Sequence, residues 1–182
     1  MTKEQLLKLS HDCLLTDNRP DWLVETIKRP EQSLYYLFLM MLAETVKPRL
    51  IVELGTNRGT GAAHFKLGYP DARVITVDKK QPEHIKEFLT SHGIEFIKAD
   101  TITAAKLIPN NIDILFIDAL HTYEKATEEL KTYLPKMNKG GIIIFDDIHL
   151  DEGMQQFWDE IEEEKIDISH LHPSPGFGAL IV

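Results

Sequence analysis

The chain has 182 residues, a length that fits one domain with a substantial core. Apolar residues make up 43% of the sequence and charged residues 27%, proportions that exclude a disordered or collagen-like chain. The net charge of −9 argues against a nucleic-acid partner, because binding to phosphates depends largely on Lys and Arg. We therefore expect the partner to be a small molecule.

The first 48 residues are predicted to form a helical extension. Leucines recur at near-helical spacing within residues 2–15, and two further helices, Asp21–Lys28 and Glu31–Val46, each follow a proline. The apolar run Leu34–Ala43 is shorter than the roughly 20 residues that cross a bilayer, so we expect a buried helix and no membrane contact. The same run is apolar enough to serve a homo-oligomer interface.

The N-terminus indicates a cytoplasmic protein, and the cysteine content limits disulfide and metal chemistry. Charged residues interrupt the leucines of the first 15 residues, so a secretory signal is not expected. Cys13 is the only cysteine, which leaves no internal disulfide and no thiolate metal cluster within one chain.

From Arg49 onward, short runs rich in Ile and Val alternate with helical segments. Continuous apolar runs are typical of parallel strands that are buried on both faces. The helical segments Thr60–Gly68, Pro82–Ser91 and Thr122–Leu134 are the predicted crossovers. The predicted strands are RLIVEL, RVITVD, IEFIK, IDILFID and GIIIFDD. We therefore predict an α/β fold in which residues 49–182 form one mostly parallel sheet with helices on both faces.

The C-terminal segment departs from this alternation. After the predicted helix Asp151–Lys165, the runs IDISHLH and FGALIV are separated only by PSPG. A connection this short joins antiparallel neighbours, because parallel strands need a crossover of a dozen or more residues. The sheet is therefore predicted to end in an antiparallel hairpin.

A glycine-rich loop, VELGTNRGTG, follows the first predicted strand. Gly55, Gly59 and Gly61 lie where ligands bind in open α/β sheets, and their lack of Cβ allows close approach of the backbone. The spacing G-x-x-x-G-x-G differs from the dinucleotide pattern G-x-G-x-x-G, because Asn57 replaces the second glycine. This difference argues against a nicotinamide-dependent dehydrogenase.

Carboxylates at the strand ends indicate the kind of ligand. Glu53 places a negative group beside the loop, which disfavours phosphate and favours a cationic ligand such as S-adenosylmethionine (SAM). Asp78 ends the second strand, where a carboxylate can accept hydrogen bonds from both ribose hydroxyls. Asp100 ends the third strand, within reach of an adenine amino group. Capping of the strand ends or exposure to solvent is the alternative explanation for Asp78 and Asp100.

Five segments from Arg49 to Val182 together resemble the class I SAM-dependent methyltransferases: VELGTNRGTG, VITVD, KADT, FIDALHTYE and GGIIIFDDIH. The resemblance implies a Rossmann-like sheet of seven strands with an antiparallel last strand. It also implies that the loop and the strand ends surround SAM. The candidate cofactor-binding residues are Glu53, Gly55, Thr56, Asn57, Gly59, Asp78, Lys79, Asp100, Thr101 and Asp118.

Three carboxylates are predicted to converge at the ends of the fourth and fifth strands. Asp118 ends one strand, and Asp146 and Asp147 end the next. Like charges at close range are unfavourable unless they are neutralised, and Mg²⁺ prefers oxygen ligands of this kind. We therefore predict a Mg²⁺ site held by these three residues, with capping of the adjoining loops as the alternative.

His121 lies three residues after Asp118, and an unperturbed imidazole with a pKa of about 6.5 suits a general base. The Asp-x-x-His and Asp-Asp pattern resembles metal-dependent O-methyltransferases that act on small molecules, in the branch that modifies sugar hydroxyls. The resemblance implies methyl transfer to a hydroxyl, with His121 as the base. A metal-independent methyltransferase and a non-catalytic SAM-binding module remain the alternatives.

Overall fold

The computed structural model describes residues 1–15, 33–80 and 83–182. Its centre is a single seven-stranded sheet with the strand order β3-β2-β1-β4-β5-β7-β6. The strands are β1 (Leu50–Leu54), β2 (Arg73–Asp78), β3 (Ile94–Lys98), β4 (Ile112–Ile117), β5 (Met137–Asp146), β6 (Lys165–Asp167) and β7 (Phe177–Ile181). Strands β1 to β5 are parallel, and β7 runs antiparallel to both β5 and β6. The predicted Rossmann-like sheet with an antiparallel end is confirmed.

Helices cover both faces of this sheet. They are α1 (Lys3–Asp12), α2 (Ser33–Val46), α3 (Thr60–Gly68), α4 (Glu83–Ser91), α5 (Thr101–Ala104), α6 (Tyr123–Tyr133) and α7 (Glu152–Glu160). None of the described helices has the length and apolar character required to cross a membrane. The predicted helix Asp21–Lys28 lies outside the described residues.

The side chains of each strand alternate between two separate cores. Along β4, Ile114 and Phe116 enter the core shared with α1 to α4, whereas Leu115 and Ile117 enter the core shared with α5 to α7. This alternation follows from the two-residue period of a strand. Leu6 of α1 is fully buried in the first core, and Tyr35 and Phe38 of α2 pack against Phe177 of β7.

The C-terminal elements differ from the prediction in their boundaries. Helix α7 ends at Glu160 because Ile161 adopts an extended conformation and packs into the core. Lys165 donates from Nζ to the carbonyls of Trp158 and Asp159 at this helix end, 2.5 and 2.8 Å away, which fixes the termination. The predicted strand 166–172 is shorter, because β6 ends at Asp167 and a 3-10 turn follows.

Two further features, the early start of β5 and a short helix after β3, were not anticipated from the sequence. Strand β5 begins at Met137, four residues before the predicted start, because Met137 pairs with Ile112 across a register shift. The short helix α5 follows β3, and Asp100 caps it by accepting a hydrogen bond from the Ile102 amide at 2.9 Å. Asp100 is therefore the N-cap of a helix that the sequence pattern did not predict.

A buried acid attaches α6 to α5. Glu129 is fully buried, and its Oε1 accepts a hydrogen bond of 2.5 Å from the Thr101 hydroxyl. Tyr133, one turn along α6, donates its hydroxyl proton to the Thr101 carbonyl at 2.6 Å. The Oε2 atom of Glu129 has no hydrogen-bond partner in the described parts of the chain. Burial raises the pKa of Glu129 to about 7, although the Thr101 hydrogen bond lowers it.

We predict that Glu129→Gln stabilises the protein at pH 8 but not at pH 5. Because the pKa rises from 4.5 to about 7 on folding, the native state favours the protonated acid, and stability falls as pH rises through this window. Glutamine mimics the protonated acid, so the gain in unfolding free energy at pH 8 should be about 2 kcal/mol. Thermal melts at both pH values measure it.

The matched control is Glu124→Gln, because Glu124 is exposed on the same helix. This variant should have the same melting temperature as the wild type at both pH values. An equal change in melting temperature at pH 5 and pH 8 for Glu129→Gln would show that the carboxyl group is not buried as a proton-binding site.

Candidate functional site

A cavity of about 370 Å³ lies at the carboxyl ends of β1, β2 and β4. Ligands of open α/β sheets bind at this edge, which agrees with the position predicted from the glycine loop. Leu120, His121 and Lys125 contribute to the wall on the side of α6. Seven of the predicted cofactor residues line the cavity: Gly55, Asn57, Asp78, Lys79, Asp100, Thr101 and Asp118.

Gly55 brings the loop after β1 against the end of β4. Its φ of +101° is a conformation that side chains rarely adopt, and its amide donates to the Val77 carbonyl at 2.9 Å. A Cβ at this position would overlap the backbone carbonyl of Asp118. Glycine is therefore required for the loop to form this wall of the cavity.

Asp78 shapes the same loop while facing the cavity. Its Oδ2 accepts hydrogen bonds from the amides of Thr56 and Asn57, both at 3.2 Å, and its Oδ1 accepts one from the Lys80 amide at 3.0 Å. The side chain is partly exposed, so the carboxylate retains accessible lone pairs. It is thus positioned both to hold the loop and to accept hydrogen bonds from a ligand.

Three predicted cofactor residues, Glu53, Thr56 and Gly59, do not line this cavity. Glu53 is buried beneath the loop, where its Oε2 accepts a 2.5 Å hydrogen bond from the Thr76 hydroxyl. Burial raises the pKa of Glu53 to about 8, so the acid is mostly protonated at pH 7. The negative group expected beside the ligand is therefore not supplied by Glu53, which differs from the sequence prediction.

Glu53 and Gly61 fit together because Gly61 has no side chain. A Cβ on Gly61, in the first turn of α3, would overlap the Glu53 carboxyl group. Thr56 completes this layer through a 2.7 Å hydrogen bond between its hydroxyl and that of Thr76. Gly59 starts α3 in a left-handed conformation, with φ +75°. Glu53, Thr56 and Gly59 thus support the loop from the side that faces away from the cavity.

Two lysines hold Asp100 at the far wall of the cavity. Lys79 Nζ lies 3.0 Å from Asp100 Oδ2, and Lys125 Nζ lies 3.1 Å from the same oxygen. Partial burial raises the pKa of Asp100, but the hydrogen bonds from both lysines outweigh this effect and hold the pKa well below its usual range. Asp100 is therefore a fixed carboxylate at neutral pH.

A charged cluster lies where β4 and β5 end, and His121 is at its centre. His121 Nε2 is 3.3 Å from Asp118 Oδ1, and His121 Nδ1 is 2.5 Å from Asp147 Oδ2. Burial lowers the pKa of His121, but the hydrogen bonds and charges of the two carboxylates raise it to about 10. The imidazole is therefore protonated at pH 7, which differs from the unperturbed value on which the predicted base depended.

Asp146 lies deeper in the same cluster and is only 5% exposed. Burial raises the pKa of this carboxyl group, and the charges of Asp118 and Asp147 raise it further. Its Oδ1 atom has no hydrogen-bond partner among the residues that the structure describes. The predicted convergence of Asp118, Asp146 and Asp147 at one edge is thus present, with His121 between two of them.

His172, which was not among the residues predicted for the site, joins this cluster from the hairpin before β7. His172 Nε2 lies 3.9 Å from Asp146 Oδ1 and 3.8 Å from Asp147 Oδ1. The antiparallel register that pairs Phe177 with Asp146 brings the preceding turn to the carboxyl end of β5. The predicted hairpin contained this signal, because a strand antiparallel to β5 must begin where β5 ends.

Aromatic residues of α2 cover the cluster on its other side. The Tyr35 ring packs against His172, with ring centroids 4.9 Å apart, and Tyr36 stacks on His64 at 5.2 Å. Burial raises the pKa of the Tyr35 phenol, and the charges of Asp146 and Asp118 raise it further, so the phenol stays neutral. No sequence signal distinguishes these tyrosines from ordinary core residues of an apolar helix.

Comparison with known proteins identifies the family. The family described as "Methyltransferase domain" matches residues 52–148, which is more than half of the chain. An O-methyltransferase of Aspergillus hancockii, hkm8, is 27% identical over 148 residues, covering 76% of this chain and 57% of that protein. An uncharacterized protein of Acanthamoeba polyphaga mimivirus is 42% identical over 65 residues, covering 36% of this chain and 26% of that protein.

The chain spans less than two thirds of the length of these two curated relatives, 57% and 26% respectively. Among solved structures, the SAH-bound methyltransferase PaMTH1 of Podospora anserina superposes with a TM-score of 0.72 at 19% identity. The superposition covers 100% of this chain and 96% of that one, and it shows a shared fold. The chain therefore belongs to the methyltransferase domain family and has the fold of the class I SAM-dependent methyltransferases.

Proposed function

We propose that the protein is a SAM-dependent O-methyltransferase that acts on a small hydroxylated acceptor. The observation that carries the proposal is that Asp118 and His121 belong both to the cavity and to the charged cluster beside it. A cofactor in the cavity and an acceptor at the cluster would therefore be neighbours. The O-methyltransferase among the relatives supports transfer to oxygen.

The cavity residues suit SAM in this proposal. Asp78 is positioned to accept hydrogen bonds from the ribose hydroxyls, and Asp100 and Thr101 lie on the side assigned to adenine. Gly55 and Asn57 leave the loop backbone open toward the methionine part. Lys79 and Lys125 compensate the charge of Asp100, so the partly exposed carboxylate of Asp78 is the acceptor that this wall offers to the hydroxyls of a ligand.

The cluster fits a divalent cation. Donor atoms of Asp146, Asp147 and His172 lie within 4.8 Å of one another, and Asp146 Oδ1 is a buried oxygen without a hydrogen-bond partner among the described residues. Asp118, the other predicted ligand, is paired with His121 at the border of the group. A divalent cation held here, Mg²⁺ in the sequence prediction, would lower the pKa of an acceptor hydroxyl.

His121 is the proposed proton acceptor, and its neighbours control when it can act. Because the hydrogen bonds and charges of Asp118 and Asp147 raise the pKa of His121 to about 10, the imidazole keeps its proton at pH 7. It can take a proton from the acceptor only when this charge is partly neutralised. The residues that would hold the cation are thus the ones that set the proton affinity of the base.

We predict that Asp78→Asn weakens binding of S-adenosylhomocysteine at least about tenfold, because a hydrogen bond to a charged group contributes roughly 1.5–3 kcal/mol. Isothermal titration calorimetry measures the dissociation constant. The matched control is Asp71→Asn, since Asp71 is exposed at the opposite end of β2. Equal affinities for wild type and Asp78→Asn would remove Asp78 from the binding site.

We predict that Asp147→Asn reduces methyl transfer at least about 100-fold, a loss in the range of general acid–base catalysis, while S-adenosylhomocysteine affinity is retained. Asp147 does not line the cavity, and asparagine tolerates its φ of +60°. The assay follows radiolabelled methyl transfer from SAM to a panel of catechols and methyl glycosides with adjacent hydroxyls. EDTA should abolish the transfer.

Asp159→Asn is the matched control, because Asp159 is an exposed carboxylate on α7. It should transfer methyl groups at the wild-type rate. Transfer that survives both EDTA and Asp147→Asn would instead establish a metal-independent methyltransferase. Cofactor binding without transfer to any acceptor of the panel would favour the non-catalytic SAM-binding module.

A further inference from the structure

We propose that His172 is a third protein ligand of the cation site, beside Asp146 and Asp147, and that the site therefore prefers a first-row transition ion to Mg²⁺. This inference rests on the proposed function, because it assumes a cation at this edge. It goes beyond that function by assigning a nitrogen ligand that lies outside the segments characteristic of the family.

The distances within the group leave space for an ion. His172 Nε2 is 3.8 Å from Asp147 Oδ1 and 3.9 Å from Asp146 Oδ1, too far for hydrogen bonds. Two ligands that each lie about 2.0–2.2 Å from a common ion are separated by roughly 3 to 4.3 Å. Both distances from His172 Nε2 thus fit two ligands of one ion, and the donor atoms of all three residues lie within 4.8 Å of one another.

The burial of Asp146 is a second, independent indication of a cation site. The Asp146 carboxyl group is 95% buried, and its Oδ1 has no hydrogen-bond partner among the described residues. This atom faces His172 Nε2 across the gap. A buried carboxyl oxygen without a hydrogen-bond partner is costly, and a cation bound between the two groups would satisfy it.

The imidazole of His172 is held in place before any ion binds. The side chain is 3% exposed and packs against the Tyr35 ring. Its backbone amide donates to the Ser169 carbonyl, and its carbonyl accepts from the Gly176 amide, both at 3.0 Å. Burial, the contact with Tyr35 and these backbone hydrogen bonds therefore fix the position of the ring beside Asp146 and Asp147.

The composition of the group determines the preferred ion. Mg²⁺ is bound mainly by oxygen ligands and retains several waters, whereas imidazole suits ions such as Co²⁺ and Zn²⁺. Asp118 would supply a further oxygen, but its Oδ1 faces His121. The candidate ligands are therefore two carboxyl groups and one imidazole. This composition favours a transition ion over Mg²⁺.

The test titrates the metal-free, full-length protein with Co²⁺ and with Mg²⁺ in the absence of SAM, using calorimetry and the visible absorption of bound Co²⁺. Wild type should bind Co²⁺ at least about tenfold more tightly than Mg²⁺. His172→Gln should lower the Co²⁺ affinity about 10- to 100-fold and shift the absorption bands, with Mg²⁺ affinity within about threefold of wild type.

His149→Gln is the matched control, because His149 pairs with Gln155 and Asp167 outside the group. It should bind Co²⁺ as wild type does. Retained S-adenosylhomocysteine affinity verifies the fold of each variant. If His172→Gln does not fold, pulsed electron paramagnetic resonance of Mn²⁺-loaded His121→Gln should still show the ¹⁴N coupling of a bound imidazole, and its absence would overturn the proposal.

The outcomes separate this inference from the proposed function. Co²⁺ binding that is lost in Asp146→Asn but unchanged in His172→Gln would overturn the role of His172 and leave the cation site intact. Failure of wild type to bind either ion would overturn both the inference and the metal-dependent mechanism, whereas S-adenosylhomocysteine binding would still test the cofactor site separately.

Discussion

Three carboxyl groups share one mostly buried edge of the sheet, and their mutual repulsion is the constraint that organises the site. Asp118, Asp146 and Asp147 cannot all carry a charge there unless a positive group balances them. His121 provides one positive charge and joins two of the three. Asp146 is left outside that pairing, in the most deeply buried position, where a proton or a cation must compensate its charge.

The antiparallel strand β7 completes this edge. A sheet made only of parallel strands would end at β5 and leave Asp146 and Asp147 at its border. Because β7 enters the sheet beside β5 from the opposite direction, the turn before it delivers His172 and Gly176 to the carboxyl ends of the parallel strands. Asp147 is tied to this turn through its amide, which donates to the Gly176 carbonyl at 3.0 Å.

Much of the architecture could be predicted from the sequence, because buried parallel strands read as continuous apolar runs. The positions of Asp78, Asp118, Asp146 and Asp147 at strand ends follow from the same pattern. The protonation state of Glu53 could not be predicted. Its burial depends on Gly61, which has no side chain, and on Thr76 of a neighbouring strand. The raised pKa of His121 likewise depends on distances between β4 and β5 that no local pattern encodes.

Asp118 contributes to both the cavity and the charged cluster, through its backbone and its side chain respectively. Its backbone carbonyl packs so closely on Gly55 that no side chain fits there, while its carboxylate faces His121. A ligand that binds in the cavity and alters the position or charge of Asp118 must therefore alter the affinity of the charged cluster for its own ligand. The reverse also holds. By thermodynamic linkage the two effects are equal and reciprocal, so the two halves of the site are expected to fill in a cooperative order rather than independently.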